Sequence, residues 1–156
     1  MKFIMMSGIA GSGKSTVAGL LQTNNTVLLS SDSLRKELWG SEDDQQKPEV
    51  VFREMHDRTI AGLKEGKDII YDATNLNSNR RRALIQELLA KFPGLKTELH
   101  IVAATPEQCI ANQQTRDRKV PDYVIRKQIL AFQGPALDEP WTEQIYVHNA
   151  FYRNGM

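Results

Sequence analysis

The stretch GIAGSGKST, residues 8–16, decides the fold of this chain. It matches the pattern G-x-x-x-x-G-K-[ST], with two glycines, Lys14 and Ser15 in the fixed positions. The apolar run Phe3–Met6 comes just before it, and a helical pattern begins at Lys14. A buried strand, a glycine-rich turn and a helix therefore follow one another, which is the context that the pattern requires.

The residue types of this loop indicate phosphate binding. Glycines let backbone N–H groups turn inward around phosphate oxygens, and a helix that starts at Lys14 adds its positive end. We expect Lys14 to reach the terminal phosphates of a nucleotide and Ser15 to supply an oxygen to Mg²⁺. The dinucleotide pattern G-x-G-x-x-G does not fit, because Thr16 stands where its third glycine belongs. The predicted nucleotide-binding residues of the loop are Gly8, Gly11, Ser12, Gly13, Lys14, Ser15 and Thr16.

Strand-like and helical patterns alternate along the rest of the chain. The expected strands are residues 3–6, 26–29, 68–74, 97–105 and 144–150, and the longer expected helices are residues 14–22, 48–65, 77–92, 106–114 and 121–132. This alternation predicts a parallel sheet with helices on both faces. Ligands of such sheets bind beyond the carboxyl ends of the strands. We therefore expect Ser7–Gly13, Ser30–Asp32 and Asp72–Asn75 to share one crevice.

The second strand runs into a polar segment, SSDSLRKEL, residues 30–38. Asp32 stands at the strand end, and Arg35 follows three residues later, so a helix would place both on one face. A carboxylate in the crevice can orient a hydroxyl and take its proton. The alternative is that Asp32 or Ser31 caps the helix by accepting a backbone N–H.

Length, charge and cysteine content limit the remaining classes. A chain of 156 residues is most simply one domain, residues 1–156, and is long enough for a hydrophobic core. Its net charge of +1 gives no overall field that selects a nucleic acid or a membrane. Cys109 is the single cysteine, so no intrachain disulfide forms, as expected in the cytoplasm. The four apolar residues Phe3–Met6 are too few for a signal peptide or a membrane span.

A phosphate-binding loop alone does not name a reaction. The N-K-x-D motif expected of a GTPase does not occur in the sequence, and an ATP-driven machine usually needs a longer chain. A small kinase, with ATP as the expected donor and a hydroxyl compound as the acceptor, fits best.

Four segments together resemble the polynucleotide 5′-hydroxyl kinase family. They read GIAGSGKST, SSDSLRKEL, IIYDATNLNSNRRRAL and TRDRKVPDYVIRKQI, stand in the family's order and cover most of residues 3–132. The first is generic to phosphate-binding loops, whereas the second and third are more specific. The resemblance implies a single P-loop kinase domain with a five-stranded parallel sheet in the order 2-3-1-4-5.

The resemblance also implies roles for individual residues. Lys14 and Ser15 would bind the donor phosphates of ATP and Mg²⁺. Asp32 would be the general base on the 5′-OH of a DNA or RNA acceptor, and Arg35 would contact a phosphate of that strand. Among the remaining residues, Asp72 and Asn75 would line the acceptor side, and Arg116, with Arg118, would lie on a lid over about residues 115–121.

The lid and Asp72 can also be judged from the residues themselves. TRDRKVP, residues 115–121, is a charged break between two helical patterns, and an arginine there can neutralise charge on the γ-phosphoryl oxygens. Some family members place the aspartate directly before Thr-Asn, whereas here Ala73 intervenes. A one-residue shift reverses the face of a strand. Asp72 is therefore also interpreted as a strand-end acid that holds Mg²⁺ through water, or as a strand cap.

Other polar and aromatic residues have weaker signals. The basic cluster NRRR, residues 79–82, would either meet a phosphate backbone or form a solvated helix face. His100 and His148 lie in expected strands and are interpreted as structural, and Trp39 as a core or rim aromatic. The phosphatase signature D-x-D-x-[TV] does not occur, so we expect a stand-alone kinase without 3′-phosphatase activity.

Three functions remain open from the sequence. The first is an ATP-dependent polynucleotide 5′-hydroxyl kinase. The second is a related small kinase for a nucleoside, a sugar, an antibiotic or a tRNA-linked hydroxyl. The third is an ATP-binding regulatory module with little turnover. The set Lys14, Ser15, Asp32 and Arg116 argues against the third.

Overall fold

A computed structural model describes residues 1–40, 47–114 and 120–149. Five parallel strands form one sheet in the order β2-β3-β1-β4-β5, so the expected α/β fold and strand order are confirmed. The strands are β1 (Lys2–Ser7), β2 (Thr26–Ser30), β3 (Asp68–Asp72), β4 (Lys96–Ala103) and β5 (Ile145–Asn149). The helices are α1 (Lys14–Leu21), α2 (Ser31–Trp39), α3 (Pro48–Lys64), α4 (Ser78–Lys91), α5 (Pro106–Gln113) and α6 (Asp122–Ala131).

The central strand β1 is buried on both faces, and its side chains alternate between two apolar layers. Phe3 and Met5 belong to the larger core, which α3 and α4 cover with residues such as Met55. Ile4 and Met6 belong to the core on the α1 side. A strand whose two faces are both covered reads as a continuous apolar run, which is why residues 3–6 show no alternation.

Strand register brings the three expected crevice segments to one edge of the sheet. Met6 of β1 pairs with Asp72 of β3, and Asp72 also pairs with Ser30 of β2. The chain leaves all three strands at this level because parallel strands present their carboxyl ends at the same edge. The three segments therefore lie at one edge of the sheet, as predicted, and their binding of a ligand stays a prediction.

Several element boundaries differ from the sequence prediction by one or two residues, and two of these differences lie at the crevice. The third strand ends at Asp72, not at residue 74, because the chain turns at Asn75, whose φ of 47° lies in the left-handed region. The cap of α2 is neither Ser31 nor Asp32. Ser30 fills that position, and its hydroxyl accepts a hydrogen bond from the Ser33 N–H at 3.3 Å.

The NRRR cluster is not a uniform basic face. Arg81 is buried and forms an ion pair with Glu139, with Nε and Oε1 2.9 Å apart and both side chains 1% exposed. Arg82 pairs with Asp138 at 2.7 Å, whereas Arg80 is exposed. Both readings of the cluster are therefore wrong for Arg81, which ties α4 to the chain between α6 and β5.

The structural interpretation of the aromatic and histidine residues is confirmed. Trp39 packs against the larger core. His100 Nδ1 lies 2.8 Å from His148 Nε2, so the two rings join β4 to β5. Among the described residues, no group of three or more metal-ligating side chains is found, and no helix has the length and apolar character to cross a membrane.

Candidate functional site

The loop after β1 has the backbone shape that the sequence predicts. Gly11 and Gly13 have φ values of 80° and 98°, a left-handed conformation that side chains disfavour. Helix α1 begins directly after Gly13, and no side chain caps its first turn. Gly13 has no side chain that could cap this turn, and the N–H groups at such helix ends are suited to binding an anion.

Lys14 and Ser15 are the first two residues of α1. The Lys14 ammonium donates a hydrogen bond to the carbonyl of Ile9 at 3.0 Å, so it lies across the loop. Ser15 and Thr16 are exposed on the first turn. Ser12 is fully buried, and within the described residues its hydroxyl has no hydrogen-bond partner. A nucleotide that enters this loop meets the lysine, the hydroxyls and the helix end together.

Asp72 reaches the donor side of the crevice. Its Oδ2 accepts a hydrogen bond from the Ser15 hydroxyl at 3.1 Å. Ile70 lies two residues earlier on the α1 face of the sheet, and strand alternation places Asp72 on that face as well. Of the three interpretations of Asp72, the contact favours the strand-end acid, because it places the carboxylate beside Ser15, the residue predicted to bind magnesium.

Asp32 and Arg35 form an ion pair at this edge. Arg35 Nη1 lies 3.0 Å from Asp32 Oδ1, on one face of α2 as expected. The side chain of Arg35 is 8% exposed and that of Asp32 is 28% exposed. Since Ser30 caps the helix, the carboxylate of Asp32 is not the group that closes its first turn.

Asn75 joins the carboxyl ends of β1 and β3. Its side-chain amide donates to the carbonyl of Met6 at 2.6 Å, and its own carbonyl accepts from the Ser7 hydroxyl at 3.0 Å. Arg81 donates to the same carbonyl at 2.9 Å. The structure thus gives Asn75 a supporting role in the crevice wall, whereas its predicted contact with an acceptor stays a prediction.

The backbone of the loop is bound by two side chains that were not among the predicted site residues. The carbonyl of the Gln128 side chain, on α6, accepts from the Ala10 N–H at 2.8 Å. The amide of Asn112, on α5, donates to the Gly11 carbonyl at 2.7 Å. The two partners of the first contact are 118 residues apart along the chain, and those of the second are 101 residues apart. No local sequence pattern predicts these two residues, because each is a polar residue on an ordinary amphipathic helix.

Part of the predicted site lies outside the described residues. Arg116 and Arg118, and with them most of the predicted lid, fall in residues 115–119. The described ends of that segment are close, since the Gln113 side chain accepts from the Val120 N–H at 2.9 Å.

The donor set fits a nucleotide with magnesium. The Ser15 hydroxyl and the Asp72 carboxylate are hard oxygen donors, and Mg²⁺ is usually held by one or two such groups together with phosphate oxygens. The glycine-rich backbone and the uncapped end of α1 suit the phosphates themselves. The crevice can therefore hold a magnesium–nucleotide complex on one side, with the Asp32 carboxylate on the other.

Comparison with solved structures shows what the fold is similar to. A chain of the Pnkp1/Rnl/Hen1 RNA repair complex matches with a TM-score of 0.67 and 20% identity, over 83% of this chain and 43% of that one. The present chain thus spans less than half of that relative's length. A gluconokinase from Sinorhizobium meliloti 1021 matches with a TM-score of 0.58 and 15% identity, over 95% and 82%. A sugar kinase from Janibacter sp. matches with a TM-score of 0.61 and 16% identity, over 96% and 85%.

At such identities these structures establish the fold and no more. The curated protein sequences contain no significant match to the chain. A family model described as an AAA domain matches residues 3–135, which include the phosphate-binding loop, Asp72, the Asp32–Arg35 pair and α5 and α6. The chain therefore belongs to this AAA-domain family, AAA_33, and folds as a P-loop kinase domain.

Proposed function

We propose that this protein is an ATP-dependent kinase that transfers the γ-phosphate of ATP to the 5′-hydroxyl of DNA or RNA. The observation that carries the proposal is the Asp32–Arg35 pair, 3.0 Å apart, at the same sheet edge as the phosphate-binding loop. A kinase needs a carboxylate for its acceptor hydroxyl, and a polynucleotide kinase also needs a cation for the strand's phosphate.

The donor half of the reaction falls to the loop and β3. Lys14 and the first turn of α1 would bind the β- and γ-phosphates, and the Ser15 and Asp72 oxygens would hold Mg²⁺, which would supply charge neutralisation of those phosphates. We assign to Arg116, with Arg118, the stabilisation of the negative charge that develops on the transferred phosphoryl group. These residues orient the γ-phosphorus towards the acceptor side.

The acceptor half falls to α2. Asp32 orients the hydroxyl and takes its proton as the new oxygen–phosphorus bond forms and the bond to ADP breaks. Arg35 holds Asp32 in place and contacts the phosphate next to the 5′ end. Asn75 supports the wall between the two halves. The single cysteine and the ATP donor fit a cytoplasmic enzyme of nucleic acid repair.

The second candidate is a kinase for a small hydroxyl compound such as a sugar. Arg35 is 8% exposed and already paired with Asp32, which leaves little cationic surface for a strand phosphate. The likeness to the gluconokinase and the sugar kinase also extends over most of both partners' lengths, unlike the likeness to the RNA repair chain.

Transfer from γ-labelled ATP separates the two candidates. The acceptors are a 5′-OH DNA oligonucleotide, its RNA equivalent, the same strands with a 5′-phosphate, and a panel of sugars and sugar acids. We expect label on the 5′-OH strands only, and none with Asp32→Asn. Label on a small compound, with none on either 5′-OH strand, would overturn the polynucleotide assignment in favour of the second candidate.

A further inference from the structure

The phosphate-binding loop is held by two elements that contribute nothing to its sequence motif. Residues Ala10 and Gly11 form its outer arch. The Ala10 N–H is bound by the Gln128 side chain of α6 at 2.8 Å, and the Gly11 carbonyl by the Asn112 side chain of α5 at 2.7 Å. One N–H and one carbonyl of adjacent residues are thus fixed by two different helices.

Packing around the arch is equally close. A Cβ at Gly11 would lie 2.5 Å from the carbonyl oxygen of Cys109, a backbone atom of α5 that has no room to yield. Ile9 and Ala10 share a buried apolar cluster with Cys109 and Ile125. The arch therefore rests directly on α5 and α6, and its shape depends on where those helices stand.

The orientation of peptide groups matters in a phosphate cradle. The cradle works because successive N–H groups converge on one point, and turning one peptide moves both its own N–H and the neighbouring carbonyl. A carbonyl that turned inward would face the phosphates with a negative dipole. The bond from Asn112 holds the Gly11 carbonyl towards α5, which keeps that dipole away from the anion. The bond to Gln128 holds the Ala10 N–H. The Ile9 carbonyl of the same peptide group points the opposite way, where the Lys14 ammonium donates to it at 3.0 Å. Each bond therefore fixes the orientation of one peptide group of the arch.

We infer that Asn112 and Gln128 are positioning residues for the nucleotide donor, and that they hold the Ala10–Gly11 arch in its phosphate-binding shape. The inference rests on the proposed function, since it concerns the affinity for magnesium–ATP at the same loop. It adds that this affinity is set by α5 and α6 as well as by the motif.

The test compares two near-isosteric losses with two matched controls. Gln128→Met removes the acceptor for the Ala10 N–H, and Asn112→Leu removes the donor to the Gly11 carbonyl. Gln133→Met removes a similar bond, to the Ser78 N–H at 2.9 Å. The second control, Asn25→Leu, removes the hydrogen bond that the side-chain amide donates to the Gly66 carbonyl at 3.1 Å, near the amino ends of β2 and β3. The two controls leave the arch untouched.

The readout is the Kd for magnesium–ATP from isothermal titration, with the melting temperature of each variant measured alongside. We expect the Kd to rise about five- to tenfold in Gln128→Met and in Asn112→Leu, the range that corresponds to one lost hydrogen bond. The controls should lose similar thermal stability and keep the wild-type Kd. Because the two arms are independent, failure of one variant to fold leaves the other as the test.

The outcomes separate the inference from the proposed function. Wild-type Kd values in both arch variants overturn the inference and leave the kinase assignment standing. A rise in Kd as large in the controls as in the arch variants overturns it as well, since general loosening would then be the cause. A wild-type protein that does not bind magnesium–ATP overturns the proposed function and the inference together.

Discussion

The hydroxyl of Ser15 donates to the carboxylate of Asp72 across 3.1 Å, which links the first turn of α1 to the end of β3. A phosphate-binding helix and a strand-end acid thus meet at one point of the sheet edge. In the proposed enzyme, this is where the metal ion is held.

Asp72→Asn should weaken activation by Mg²⁺. The amide keeps the size of the side chain but loses a negative charge beside Ser15, so we expect the Mg²⁺ concentration for half-maximal transfer to rise about 10- to 100-fold. Removal of divalent cations with a chelator should abolish phosphoryl transfer in the wild-type protein and in Asp72→Asn. The measurement is the rate of label transfer against Mg²⁺ concentration at saturating ATP.

Asp68→Asn is the matched control for this prediction. Asp68 lies at the opposite end of β3, where its carboxylate accepts from the Lys2 N–H at 2.9 Å. It should leave the Mg²⁺ dependence unchanged. A wild-type dependence in Asp72→Asn would instead mean that the Ser15–Asp72 bond is a structural contact only.

Asp32→Asn should lower kcat by about 10²- to 10⁴-fold, because the amide cannot accept the proton of the attacking hydroxyl. The KM for ATP should change little, since Asp32 lies on the acceptor side. Glu37→Gln, on the same helix, removes a surface charge that pairs with Arg58 and should leave kcat as it is. Retention of most of the rate by Asp32→Asn would contradict the role of Asp32 as general base.

Arg35→Ala should mainly raise the KM for a 5′-OH oligonucleotide, about tenfold or more, through the loss of a charge-assisted bond to the strand's phosphate. Lys36→Ala, the exposed neighbour on α2, serves as the control for general charge attraction. Steady-state kinetics at varied oligonucleotide concentration decide the matter. If both variants show the wild-type KM, the acceptor phosphate is bound by other residues.

Arg81→Met should destabilise the protein by about 3–5 kcal/mol, because it leaves the Glu139 carboxylate buried without its ionic partner. The double variant Arg81→Met/Glu139→Leu should lose less, since no unpaired charge then remains. Urea unfolding followed by circular dichroism measures both. A cost in the double variant equal to or above that of the single variant would show that the ion pair itself is not the origin of the effect.

Stability should also fall in acid because of Glu139. Burial by itself raises its pKa, but hydrogen bonds from Arg81, the Ala136 N–H, Ser78 and Trp141 outweigh burial and lower the pKa to about 2. The ordinary value is 4.5. A group whose pKa is lower in the folded than in the unfolded chain contributes stability above the unfolded value, and this contribution disappears as the pH falls through the folded one.

The melting temperature of the wild-type protein should therefore drop more steeply between about pH 5 and pH 2 than that of Glu139→Gln. The difference between the two curves isolates Glu139 from other carboxyl groups, such as Glu98, whose pKa is also lowered. Parallel curves over this range would show that the Glu139 carboxylate titrates at its ordinary pKa in the folded protein.

The alternation of strands and helices could be predicted from the sequence because its signals are local, whereas the strand order was implied by the resemblance to a known family. The strands β1, β2 and β3 contain short apolar runs, and the phosphate-binding loop is a pattern of neighbouring residues. The position of Asp32 also followed, since it depends only on where β2 ends. Parallel strands then bring such ends together without further information.

What could not be predicted depends on contacts between distant residues. Arg81 stands in a run of three arginines, and only the position of Glu139, 58 residues away, makes it a core residue. Asn112 and Gln128 likewise gain their role from the arch that they meet in space. The capping of α2 by Ser30 was missed by one residue, a shift that hydrophobic pattern does not resolve.

The left-handed conformation of Asn75 bears on which parts of the crevice can change shape. It ties the end of β1, the end of β3 and the start of α4 through one residue, by bonds from Ser7, to Met6 and from Arg81. Because these bonds hold three elements together, we expect this part of the crevice to keep its shape in the proposed kinase. We expect any change of shape that admits an acceptor or releases a product to come from elements that Asn75 does not bind, such as α2.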